Sequence, residues 1–105
     1  MTTRTIAGYE VESDDQGYLA DPDAWTREIA VELAHEAGLG ELTEAHWRVI
    51  EFCRADARAE GQSPGVRRIC QHLGLPTRDL YLLFPKGPGK LAALIAGQSK
   101  PAGCV

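Results

Sequence analysis

The chain has no long apolar run: none of its 105 residues lies in a stretch approaching the roughly 18 to 20 apolar residues that a membrane-crossing helix needs. Its first fifteen residues contain neither an apolar signal core nor an Arg-rich amphipathic presequence, so the expected location is the cytoplasm. Cysteine is scarce as well. There are three, an odd number with no CxxC pair, which argues against a disulfide framework and fits a reducing compartment. Metal-ligand spacing is missing: Cys70 and His72 are two apart in a helical segment and face different ways, and no second pair stands at usable spacing, so neither a metal nor another cofactor is expected. No histidine lies near Cys104, which leaves a hydrolytic Cys–His enzyme with little support. Internal repeats and a linker are absent too, so residues 1–105 are read as one domain.

What is present is an ordinary globular composition, 44% hydrophobic and 25% charged, with a marked charge asymmetry. Residues 1–60 hold five Lys/Arg against fourteen Asp/Glu, whereas residues 61–105 hold six Lys/Arg against Asp79 alone. The basic half ends in a cysteine. Such a region is either plain solvated surface or an electropositive zone that favours a thiolate and an acidic partner.

The pattern predicts a mainly helical fold. Residues 5–11 and 18–19 read as a β-hairpin turned by Ser13-Asp14-Asp15-Gln16-Gly17. Asp21-Pro22 opens a helix carrying Trp25, Ile29 and Leu33 on one face, ended by Gly38 and Gly40. Thr43 caps a second helix to about Glu60, with His46, Ile50, Cys53 and Ala57 on its inner face. Ser63-Pro64 starts a third, bearing Val66, Ile69, Cys70 and Leu73, and Thr77 caps a fourth; together they suggest a helix-turn-helix element. Pro88 begins a last helix closed by Gly97, and residues 98–105 lack apolar periodicity and are expected to form a flexible C-terminal arm.

The cysteines divide. Cys53 and Cys70 fall on apolar stripes and read as small buried hydrophobes. Cys104 is penultimate, follows Gly103 and lies outside every predicted helix. An extended arm of about eight residues reaches roughly 25 Å, enough to carry a thiol into a partner's site. Thiolate chemistry there is opposed by the α-carboxylate of Val105 and favoured by Lys100, and by Arg67, Arg68 or Arg78 if the arm folds back.

Several motifs closely resemble one family. Tyr81-Leu82-Leu83-Phe84-Pro85-Lys86-Gly87-Pro88-Gly89-Lys90, Ile95-Ala96-Gly97 and Lys100-Pro101-Ala102-Gly103-Cys104-Val105 are similar to the C-terminal signature of DsrC/TusE proteins. Gly17-Tyr18-Leu19, Leu42-Thr43-Glu44, His46-Trp47 and Ser63-Pro64-Gly65-Val66-Arg67 extend the match in order along the chain. The resemblance implies a small helical bundle with an N-terminal hairpin, a helix-turn-helix and a mobile arm. It implies a persulfide carrier, a co-substrate without a self-contained active site, with sulfur on Cys104; from the basic half of the chain, Arg67, Arg78, Lys86, Lys90 and Lys100 are read as supporting residues. Implied partners are protein sulfurtransferases of the TusA, DsrE or TusBCD kind as donors, and a downstream acceptor protein.

Two departures narrow this. DsrC proper has a second arm cysteine eleven residues before the penultimate one, and here that position is Ala93. An internal arm bridge is therefore excluded, a Cys104–Cys104 dimer is the expected oxidation product, and the chain resembles the single-cysteine TusE type. The segment between Leu73 and Leu80 is also shorter than in members with an insertion there, which leaves the partner open, as are tRNA 2-thiouridine synthesis and dissimilatory sulfur metabolism as pathways. A different reading is a helix-turn-helix DNA-binding regulator using Arg67, Arg68 and Arg78 on phosphates. Against it, the would-be recognition helix is mostly apolar and the chain is acidic, with pI near 5.3.

Overall fold

The computed structural model describes residues 2–101; Cys104 lies outside them. Strands β1 (Thr2–Ile6) and β2 (Tyr9–Ser13) pair antiparallel, with Arg4 opposite Val11 and Ile6 opposite Tyr9. The hairpin is real, but its turn is Ala7-Gly8, both at positive φ (53° and 88°), a two-residue reversal whose twist suits the strands. Residues 13–17, expected as that turn, build a second and longer one. Asp14 accepts hydrogen bonds from the Gln16 and Tyr18 amides, and a single bridge joins Ser13 to Leu19. Both sites carry turn chemistry; the shorter one lay inside what reads as a continuous strand. Ile6, Val11 and Ser13 face inward with the period of two that a half-covered ribbon needs.

The first helix is likewise divided. Asp21 caps a single 3-10 turn over Pro22–Ala24, Trp25 is extended, and Thr26 caps α1 (Arg27–Glu36) by accepting from the Ile29 amide. A second cap four residues after Pro22 restarts the helix, which frees Trp25 to turn toward the far end of the chain.

Helix α2 (Glu44–Glu60) runs as expected from Thr43 to a left-handed Gly61. Its cap is reciprocal: Thr43 Oγ accepts from the His46 amide, and the Thr43 amide donates to His46 Nδ1. With Nδ1 an acceptor, Nε2 bears the proton and donates to the Leu83 carbonyl at 2.9 Å, tying the start of α2 to a segment 37 residues on. Helices α3 (Val66–Leu73) and α4 (Thr77–Leu83) meet across Gly74-Leu75-Pro76, and α5 (Pro88–Ile95) packs on both α1 and α2. Ile29, Val49, Ile50, Ile69, Leu80, Phe84 and Ile95 are fully buried at the junction. Each such side chain contributes about 1.5–3 kcal/mol by leaving water. Cys53 is buried among them as expected, whereas Cys70 is only half-buried at the edge of the core. No helix among the described residues is long and apolar enough to cross a membrane.

Candidate functional site: the root of the C-terminal segment

A helix leaves its last four carbonyls without intrahelical partners. At the end of α5 every one is supplied. The Ala93 carbonyl accepts from the Gln98 amide at 3.0 Å, and that of Leu94 from the Gly97 amide at 3.2 Å. Trp25 Nε1–H donates to the Ile95 carbonyl at 2.8 Å, and the Arg54 guanidinium to that of Ala96 at 2.8 Å. Arg54 also donates to the Pro22 carbonyl at 3.3 Å, and its guanidinium lies 4.1 Å over the Trp25 ring. Desolvation lowers the Arg54 pKa; the nearby Asp23 carboxylate pulls the other way, and Arg58 adds to the lowering.

Gly97 makes this packing possible. Its φ of 69° is left-handed, and a Cβ there would lie 2.5 Å from Trp25 Cδ1 and 2.8 Å from its Cγ. Only glycine provides both the backbone angle and the space. Beyond it, Gln98 and Pro101 are buried and Ser63 Oγ–H donates to the Ser99 carbonyl at 2.6 Å. Residues 98–101, expected as the first half of a free arm, are therefore held against the body, while residues 102–105 lie outside the described residues. The part of the chain held to the body therefore extends past the end of α5 to Pro101.

Beside this root opens a cleft of about 730 Å³ lined by Trp25, Arg27, Arg54, Arg58, Gln98 and Ser99, with Asp23 and Glu51 opposing the arginines. Arg27 lies 3.9 Å over the Trp47 ring and reaches Glu51 at 3.4 Å. The basic residues singled out in the sequence lie elsewhere. Arg67 is on α3, Arg78 on α4, Lys86 in the α4–α5 connection at φ 66°, Lys90 in the first turn of α5 and Lys100 beyond Ser99; all are exposed. None lines the cleft, and among the described residues none makes a side-chain hydrogen bond or ion pair. Trp25, Arg54, Ser63 and Gly97, which build the root, were not identified as functional by the sequence. Gly97 reads as a helix stop within a family-like motif, Trp25 as a helix face, and contacts between residues as distant as 25 and 95 leave no local pattern.

The second cysteine environment is closed. Burial, and then the Asp56 carboxylate, pushes the Cys53 thiol up to about 12. No group of three or more His, Cys, Asp or Glu side chains that could hold a metal ion occurs among the described residues.

The profile of the family described as DsrC like protein matches residues 5–105. Among curated proteins, the chain is 40% identical to the sulfurtransferase TusE of Photorhabdus laumondii, with all of both chains covered. It is 39% identical to the sulfurtransferase TusE of Pectobacterium atrosepticum, over 93% of this chain and 95% of that one. Among solved structures it superposes on the NMR structure of Allochromatium vinosum DsrC with a TM-score of 0.86 at 35% identity, covering 98% of this chain and 97% of the other.

Proposed function

The chain belongs to the DsrC-like protein family, and we propose from that premise that it is a sulfur carrier that takes up and passes on persulfide sulfur at Cys104. The observation that carries this is a division among three cysteines: the family match runs through Cys104, while Cys53 is sealed in the core and Cys70 is half-covered on α3. In the proposed step the Cys104 thiolate attacks the outer sulfur of a donor persulfide. A new S–S bond forms on Cys104, the donor's S–S bond breaks, and the donor leaves as its thiolate. The terminal sulfur then passes to an acceptor thiolate by the same displacement, returning Cys104 as thiolate, so no oxidant is consumed.

The similarity to proteins named sulfurtransferase TusE and to DsrC supports either tRNA thiolation or dissimilatory sulfur metabolism as the pathway. Donors of the TusA, DsrE or TusBCD kind and a protein acceptor fit this chemistry, as does the cytoplasm, whose reducing conditions keep free thiols available. Arg67, Arg78, Lys86, Lys90 and Lys100 are read as a basic surface serving the partner. The DNA-binding alternative loses ground on α4, where exposed Tyr81 and Leu82 stand in place of polar base-reading side chains.

Intact-mass spectrometry after incubation with a persulfide-loaded sulfurtransferase tests the carrier reading. The expected result is a gain of one sulfur atom, about 32 Da, kept in Cys53→Ala and Cys70→Ala and lost in Cys104→Ser. Loading that survives Cys104→Ser would move the carrier to another residue.

A further inference from the structure

The most exposed large apolar side chain among the described residues is Leu82, at 75%, and its neighbour Tyr81 is 48% exposed. Both stand on α4, a helix of seven residues whose other side buries Leu80 completely. A single exposed Leu is ordinary; two large apolar side chains side by side on one helix keep apolar surface in water where a polar residue would be less costly. The margin of this patch holds the cations Arg78 and Lys86 against one acid, the half-buried Asp79 on the same helix. Arg78 lies one helical turn before Leu82 and so shares its face, and Lys86 follows where the chain turns at φ 66°. Both cations are exposed, and neither has an ion-pair partner among the described residues.

We propose that Arg78, Tyr81, Leu82 and Lys86 form the docking surface for a protein partner whose matching face is apolar at its centre and acidic at its rim. This rests on the carrier reading, with the sulfur donor as the partner. The rest of the chain supports the charge assignment. The other two exposed large apolar residues, Tyr9 and Val31, lie in the acidic half, with the Tyr9 hydroxyl 3.4 Å from Glu28. An acidic partner is repelled from residues 1–60, which carry fourteen acids against five bases, and drawn toward α4. Apolar contact at Leu82 then holds it while the C-terminal segment reacts.

The test compares two sources of sulfur for the same thiol, persulfide-loaded TusA-, DsrE- and TusBCD-type donors and the small molecule glutathione persulfide. Leu82→Glu is expected to raise the half-saturating donor concentration about tenfold, and Arg78→Glu several-fold, with the maximal rate unchanged. Arg78→Lys should restore most of the loss, and added salt should slow donor loading less in Arg78→Glu than in the native chain. Loading by glutathione persulfide should be equal in Leu82→Glu and the native chain. The thermal midpoints of the variants should match the native one, since both side chains face solvent. Unchanged donor kinetics in Leu82→Glu and Arg78→Glu would overturn the proposal. So would failure of every donor while glutathione persulfide still loads Cys104. Binding of a short DNA duplex that is lost in Arg78→Glu, or self-association lost in Leu82→Glu, would assign the face to nucleic acid or to a second copy instead. No loading from either source overturns the carrier reading, and with it the docking surface.

Discussion

At the scale of the residue, two side-chain environments make opposite demands. Cys53 sits where ionisation is unfavourable: its ordinary value near 9 is raised to about 12, chiefly by burial. A group with a raised folded pKa stabilises the fold fully below its unfolded value and loses that contribution as pH rises through the folded one. Stability should therefore decline between about pH 9 and 12, and Cys53→Ala should flatten that decline in urea melts taken across the range. At neutral pH native Cys53 should resist thiol reagents, because so little thiolate is present. Gly97 is constrained by shape. Gly97→Ala places a methyl group on Trp25 at an angle that costs a non-glycine residue about 1–3 kcal/mol before any clash is counted. The expected loss exceeds that range, and Trp25→Ala in the same chain should recover the steric part but leave the backbone part. A double-mutant cycle on thermal unfolding measures the two; additive losses would mean that Trp25 and Gly97 do not constrain each other.

At the scale of the element, helices α2 and α5 were legible because each combines a stop or start residue with an apolar stripe, whereas α3 was legible in its stripe and its stop at Gly74 but begins at Val66 after Gly65, not at Ser63-Pro64. Thr43 and Gly61 bound α2 as expected, and Pro88 opens α5. The hairpin turn and the break at Trp25 were not legible, because two competing turns and two competing caps lie within a few residues of each other and tertiary packing selects between them. The same holds for the site. Cys104 stands out by position alone, whereas the α5 root depends on Arg54 reaching Ala96 across 42 residues. The tie between α2 and α3 is a further non-local feature. Asp56 is buried and accepts two hydrogen bonds from Arg68, at 2.7 and 2.8 Å, and these bonds hold its carboxyl below the usual carboxylate range although burial opposes them. A depressed folded pKa contributes stability above the unfolded value, near 4, and loses it as pH falls through the folded one. Acidification below about pH 4 should thus loosen the α2–α3 contact. Asp56→Asn should lower the thermal midpoint by several degrees at neutral pH and reduce the acid sensitivity; an unchanged acid limb would place that sensitivity in other carboxylates.

At the scale of the whole molecule, the fold seals Cys53 in its interior and leaves Cys70 half-covered, and oxidation should report on the proposed role of Cys104. Cys104 has no thiol at Ala93 to close an arm bridge, and Ala93 is itself buried in α5. Of the two other cysteines, Cys53 is beyond attack, since disulfide exchange needs a thiolate and access, and burial removes both. Cys70 is the one internal candidate, because it is only half-buried on α3. Residues 98–101 are held to the body, and a residue three positions beyond Pro101 can lie at most about 10 Å from it by chain length alone. A bridge between Cys104 of one molecule and Cys104 of another needs neither Cys53 nor Cys70. Mild oxidation should therefore give a Cys104–Cys104 dimer whose yield rises with protein concentration, is abolished in Cys104→Ser and is unchanged in Cys70→Ala. Non-reducing gels with peptide mapping distinguish this from a concentration-independent monomer bridged between Cys104 and Cys70. That monomer would mean that the Ser63–Ser99 and Gln98–Ala93 hydrogen bonds release readily, and Ser63→Ala should then increase its yield.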